Sequence, residues 1–260
     1  MFANTAPDVA RALGPTGRLA FAVERRLVPL FARTFPAATV APHRTETVDS
    51  KSTRSAPDAP AMEFWAPIAA PARRYRPSAE AFPQRAGYLV PDAARVMHWR
   101  ALLAKRPGRK VGVLWKSLKL HGERQRQFAP FELWRPVLET PGVSFVNLQY
   151  GDCADELAFA RETFGVDLWQ PPGLDLKDDL DDVAALTCAL DLTLGFANAT
   201  INLAGACGAP AWVITRPAAW TKLGTDGYPW YPQIRCFSAE SAEGWQGVMG
   251  EVAAALAAEG

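Results

Sequence analysis

The sequence predicts an α/β protein built on a parallel, doubly wound sheet. Three observations lead there. Short apolar, β-rich runs recur from Lys110 onward, a stretch with helical spacing follows each run, and the connections between them are short. The strands are VGVLW (111–115), VSFVNLQ (143–149), LTLG (192–195) and AWVIT (211–215). Between them lie the helical stretches FELWRPVL (131–138), ADELAFARETF (154–164), DDLDDVAALTCAL (178–190) and 199–207. A last helix places Trp245, Val248, Met249, Val252 and Leu256 on one face.

The first part of the chain reads as α/β too, but it opens on a helix, PDVARALG (7–14). RLAFAVE (18–24) follows as a strand and RRLVPLFARTF (25–35) as a helix with Leu27, Leu30 and Phe31 inward. ATVAP (38–42) is the next strand, the polar stretch 45–61 an exposed loop, and DAARVMHWRALLAK (92–105) a helix. A Rossmann lobe ordinarily opens with a strand and a tight loop. The expectation is therefore two Rossmann-like lobes with a cleft between them, 1–105 and 106–260, the first lacking its opening strand. RPGRK (106–110) is the basic connector.

Composition removes several classes of function. Hydrophobic residues make up 49% of the 260 and charged ones 21%, and the net charge is +1. That charge offers no general attraction to nucleic acid or to an anionic membrane. Cys153, Cys188, Cys207 and Cys236 show no CxxC spacing, and His43, His98 and His121 are scattered, so no zinc pattern emerges. Buried, reduced thiols suit the cytoplasm. MFANTAPDVARALG lacks the basic and apolar regions of a signal peptide, and no run reaches the ~18 apolar residues of a membrane span.

Candidate chemistry gathers where strands end. In LDLTLGFANATINLAGACGAPAW (190–212), Gly195, Phe196, Ala197 and Asn198 lead from a strand into a helix. Free N–H groups and about half a positive charge at a helix start suit a phosphate. Asn198 is a good N-cap and Thr200 adds a hydroxyl, while Ala204, Gly205 and Ala206 permit close helix packing. An ordinary capped connection remains the alternative.

Lys116 and Ser117 follow VGVLW, and Gln149 and Tyr150 end the next strand, both at carboxyl edges where open sheets bind ligands. A lysine there can hold a phosphate as a point charge, and Arg124 and Arg126 add cationic reach. Each of these also reads as a solvated or capping turn. The aromatic loop GYPWYP (227–232), with Trp220 and Thr221 before it, suits either stacking on a ring or filling the junction between lobes. Asp179-Leu180-Asp181 is a DxD, but at a helix start it serves capping and the dipole, so no metal is expected. Neither GxxxxGK[ST] nor GxGxxG occurs.

Five segments taken in order, ERRLVPLFARTFP, VGVLWKS, SFVNLQYGDCADEL, LDLTLGFANATINLAGACGAPAW and YPWYPQIRCF, resemble the bacterial heptosyltransferase-like GT-B glycosyltransferases. The resemblance is nearest to domains that follow tetratricopeptide repeats, including flagellin-modifying ones. It implies metal-independent transfer of a sugar from a nucleotide sugar, with no separate cofactor, to a protein or glycan hydroxyl, flagellin among the acceptors. The donor would meet Lys116, Ser117, Gln149, Tyr150, Ala197, Asn198, Ala199, Thr200 and Asn202 in the second lobe. Relatives carry DTxxxHLAG where this chain has Ala197, Asn198 and Asn202. They also carry a strand and a GxGDE-like loop ahead of the segment matching MFANTAPDVARAL, which this sequence lacks. No catalytic base is assigned, and a degenerate, non-catalytic binding module is the alternative function.

Overall fold

The computed structural model describes residues 1–49, 51–117, 128–216, 218–238 and 244–259. In chain order the helices are α1 (Ala6–Leu13), α2 (Val28–Thr34), α3 (Ala72–Tyr75), α4 (Ala93–Leu103) and α5 (Arg135–Leu138), then α6 (Ala154–Phe159), α7 (Leu180–Ala189), α8 (Ala199–Ala206) and α9 (Trp245–Ala258). The strands are β1 (Ala20–Val23), β2 (Thr39–Pro42), β3 (Arg44–Val48), β4 (Lys51–Ser55), β5 (Arg109–Leu114), β6 (Val143–Asn147), β7 (Leu192–Phe196), β8 (Ala211–Thr215) and β9 (Ile234–Ser238).

Strand residues of period two sort onto two faces of one parallel sheet, ordered β6-β5-β7-β8-β9. Val111, Val113, Leu192, Leu194, Trp212 and Ile214 point to the face covered by α5 and α9. Leu114, Val146, Leu148, Ala211 and Val213 point to the other, covered by α7 and α8. Val113 pairs with Leu194, and Leu194 with Trp212, so this register puts large side chains level on one face. Both faces are dry, which is why the strands read as nearly continuous apolar runs. The last helix buries Trp245, Val248, Met249, Val252 and Leu256, as its spacing predicts. The α/β class with a parallel sheet is thus what the sequence implies.

The first part of the chain forms one βαβ unit, β1-α2-β2, with Phe21 paired to Val40. Leu30 and Phe31 are buried and Leu27 is half-buried. Their cluster is continuous with the α7 and α8 face of the large sheet. Charges fix this docking. Arg33 donates to both carboxylate oxygens of Asp181 at 2.9 and 2.8 Å, Trp99 Nε1 donates to Asp182 at 2.7 Å, and Arg95 pairs with Asp179 at 2.9 Å. The acidic start of α7 therefore clamps α2 and α4, while Asp179 also caps Asp182 N–H at 3.0 Å.

Two elements differ from the sequence expectation. The stretch 45–61, expected as a loop, contains most of an exposed antiparallel hairpin, with Arg44 opposite Ser55 and Val48 opposite Lys51. Its described side chains are exposed, so no apolar alternation reveals it. β9 was not anticipated either: only Ile234 and Phe237 of it are fully buried, and charged Arg235 interrupts the run.

Candidate functional site

The chain leaves β5 for β6 on one side and returns to β7 on the other, so the strand order reverses between β5 and β7. A crevice outside the carboxyl ends of two such strands is the general ligand site of open α/β sheets. Trp115, Lys116 and Ser117 follow β5 there, and Ala197 and Asn198 follow β7. Gly195 makes the approach possible: a Cβ on it would lie 2.3 Å from the Leu114 carbonyl oxygen. Gly205 plays the same part on α8, where a Cβ would meet the Tyr231 ring at 2.6 Å.

Asn198 caps α8. Its Oδ1 accepts from Ile201 N–H at 3.2 Å, and its carbonyl accepts from the Asn202 side chain at 2.6 Å. Asn198 Nδ2 and Asn202 Oδ1 are buried and have no partner among the described residues. Nearby, Tyr228 OH and Thr221 Oγ1 are buried without a well-formed hydrogen bond. Burial pushes the Tyr228 phenol up to about 12, partly offset by the adjacent Thr221 hydroxyl and Asn202 amide. Each buried orphan costs about 1–3 kcal/mol. Ala197 and Ala199 are exposed at the mouth and Thr200 is buried in the first turn.

The β5 and β6 ends are tightly organised. Gln149, only 2% exposed, accepts from Trp115 N–H at 3.0 Å and Lys116 N–H at 2.9 Å through one oxygen. Its amide nitrogen donates to the Tyr150 carbonyl at 2.9 Å. Through these three hydrogen bonds Gln149 ties the end of β5 to the end of β6 and so positions the β5 loop. Lys116 Nζ is ion-paired with Glu156 on α6. Tyr150 is half-buried at the rim and Ser117 is buried. Arg124 and Arg126 lie outside the described residues.

Sequence reasoning missed a second cation at this edge. Lys222, 7% exposed, donates from Nζ to Ser238 Oγ at 3.2 Å, and Ser238 lies 3.1 Å from Thr215 Oγ1. Thr215 and Ser238 end β8 and β9, so Lys222 belongs to the same carboxyl edge. Among the described residues no carboxylate pairs with it. Without β9 in the reading, nothing in the sequence set Lys222 beside a strand end. The crossover that carries it has no helix, only a 3-10 turn at Trp220–Lys222 and the loop GYPWYP. Tyr228, Trp230 and Tyr231 are buried, and Trp230 meets Phe2 and Phe82 edge-on at 5.1 and 4.9 Å. These rings fill the junction with the first part of the chain, while Trp220 stays 63% exposed.

Among the described residues no group of three or more His, Cys, Asp or Glu could hold a metal ion. No described helix is long and apolar enough to cross a membrane.

No family model matches the chain. It is 58% identical over 260 residues to Protein FlbA of Caulobacter vibrioides, an alignment taking in 98% of this chain and 44% of that protein. The chain therefore spans less than half the length of that relative. Among solved structures it is similar to the glycosyl transferase family 9 from Veillonella parvula, at 11% identity and TM-score 0.48, over 65% of this chain and 53% of that one. It is also similar to E. coli heptosyltransferase WaaC with ADP-2-deoxy-2-fluoro heptose, at 15% identity and TM-score 0.44, over 68% of this chain and 50% of that one. For E. coli ADP-heptose lps heptosyltransferase II the identity is 14% and the TM-score 0.45, over 70% and 57% of the two chains.

Proposed function

We propose that the crevice between β5 and β7 binds the phosphates of a nucleotide sugar, and that the domain serves metal-independent glycosyl transfer to a protein or glycan hydroxyl. One observation carries the reading: at the capped mouth of α8, on the strand-order reversal, buried Asn198 Nδ2 and Asn202 Oδ1 lack partners among the described residues. A bound donor would supply them, Asn198 giving a hydrogen bond to phosphate and Asn202 accepting one from a hydroxyl. Free N–H groups of α8 and the Lys222 ammonium would carry the anion's charge. Catalysis on this reading consists of stabilising the departing phosphate and orienting the acceptor. Residues 106–260 would form the donor side and 1–105 the acceptor side. The ordered resemblance to heptosyltransferase-like proteins supports the same substrate class and makes flagellin one acceptor to try.

Calorimetric titration with uridine, adenosine and guanosine diphosphates and their sugars tests the proposal. Asn198→Asp keeps the cap but sets a carboxylate against the phosphate, so affinity for the bound nucleotide should fall at least about tenfold, ~1.4 kcal/mol. Unchanged affinity in that variant, or silence with every donor in the parent, would refute the site.

A binding module that holds a nucleotide sugar or a glycosylated partner without transfer is the second reading. The Lys116–Glu156 pair favours it, since that cation is already neutralised. Product analysis separates the two: donor binding with neither transfer nor donor hydrolysis supports the module.

A further inference from the structure

We propose that Cys188 and Cys207 form a reactive dithiol, a redox modification site at which a two-electron thiol oxidant such as glutathione disulfide closes an internal disulfide. Cys188 lies in the last turn of α7 and Cys207 directly follows α8, and these two helices pack side by side. Both side chains pack against the same apolar cluster where these two helices end. Both half-buried residues line one open cavity of about 580 Å³, beside Val90, Met97 and Arg100, so an oxidant has a path to them. The remaining cysteines are elsewhere: Cys153 is buried on the opposite face of the sheet, and Cys236 lies in β9.

The surroundings divide the labour between the two sulfurs. The neighbouring Cys207 thiol holds the Cys188 thiol below its ordinary value, and nearby positive charge on Arg100 adds to this. Arg100 also reaches the Cys188 carbonyl at 3.5 Å. Cys207 is pushed up, first by the neighbouring Cys188 thiol, then by burial and the negative charge of Asp181. Cys188, beside the Arg100 cation, is the attacking thiolate and Cys207 the resolving thiol.

In the first step the Cys188 thiolate attacks one sulfur of glutathione disulfide, forming a mixed disulfide and expelling a glutathione thiolate. Cys207 then loses its proton and attacks Cys188 Sγ, expelling the second glutathione. Two protein thiols are oxidised, and their two protons end on two glutathione thiols. The new bond would tie the end of α7 to the end of α8, about 12 Å along α8 from its capped mouth. It neither uses nor blocks the proposed nucleotide crevice.

The test equilibrates the whole chain with glutathione disulfide and maps its peptides. Loss of two of the four thiols, a Cys188–Cys207 cross-linked peptide and a raised thermal midpoint are expected. Phenylarsine oxide, which bridges paired thiols, should bind the reduced chain one to one. That binding should be lost in Cys188→Ser and in Cys207→Ser but kept in Cys153→Ser and Cys236→Ser. A cross-link through Cys153 or Cys236 would overturn the proposal. So would oxidation that halts at a glutathione adduct with Cys207 still free. The peptide map uses the parent chain and does not depend on any variant folding.

Discussion

Gln149→Leu is the sharpest probe of how the β5 end is held. The substitution replaces the polar head with an apolar one at a site that is 2% exposed; leucine branches one carbon earlier than glutamine, so some repacking adds to the loss. It removes the one acceptor shared by Trp115 N–H and Lys116 N–H, and the donor to the Tyr150 carbonyl. Trp115 is 2% exposed, so water cannot readily replace its partner, and that N–H should incur most of the ~1–3 kcal/mol assigned to a buried orphan. The Lys116 N–H and Tyr150 carbonyl lie nearer the rim and should each cost at most about 1 kcal/mol once rehydrated. The expected loss is about 2–4 kcal/mol. Urea denaturation followed by circular dichroism measures it as a lower midpoint at unchanged slope. Gln149→Glu keeps an acceptor for both N–H groups and should lose less, although its carboxylate then opposes the Tyr150 carbonyl. A loss below about 1 kcal/mol in the leucine variant, or a larger loss in the glutamate variant, would refute the positioning role.

Three further outcomes follow from the same contacts. Glu156→Gln releases Lys116 from its ion pair, so nucleoside diphosphate affinity should rise in titration calorimetry, and the gain should shrink at high salt. Asp181→Ala leaves Arg33 without its two-pronged partner in a region where Asp181 is only 6% exposed. A stability loss of about 3 kcal/mol is expected, with loss of protection at α2 and α4 in hydrogen exchange. Alkaline pH should unfold the chain: burial raises Tyr88, Tyr228 and Tyr231 above the ordinary phenol value of 10.0, Tyr228 to about 12. Folded pKa values above the unfolded one mean that this stability is complete below pH 10.0 and declines as pH rises through about 12. Absorbance at the phenolate band should therefore rise together with loss of helix signal, and independent, earlier ionisation would contradict it.

Elements with one dry face were legible in the sequence and elements without one were not. The strand at 211–215 coincides with β8, and the buried residues of α9 match its 3.6-residue spacing, because burial imposes the pattern that the eye reads. The β3–β4 hairpin has no such constraint. Site residues divide on similar lines. That Lys116, Gln149 and Asn198 follow strand ends is a local property, visible in sequence order. What each side chain does there depends on residues far along the chain: Glu156 for Lys116, the β5 backbone for Gln149, Tyr228 and Thr221 around Asn202.

Lys222 and Lys116 meet the carboxyl edge of the sheet in opposite electrostatic settings. A lysine 7% exposed loses most of its hydration, and among the described residues two hydroxyls offer it dipoles and no carboxylate pairs with it. Lys116 has the opposite arrangement, a carboxylate in contact and a more open setting. A dianion arriving at the carboxyl edge would find Lys116 already paired with Glu156 and, among the described residues, no carboxylate on Lys222. The electrostatic gain on binding is therefore larger at Lys222, because the free protein has already met the cost of burying it. On the proposed reading the anion's centre of attraction would shift from β5 toward β8 and β9, where the resemblance alone would not have put it. A diphosphate spanning the mouth of α8 could meet both the Asn198 amide and this ammonium, and the missing histidine of the related motif would then have its charge supplied from the crossover after β8.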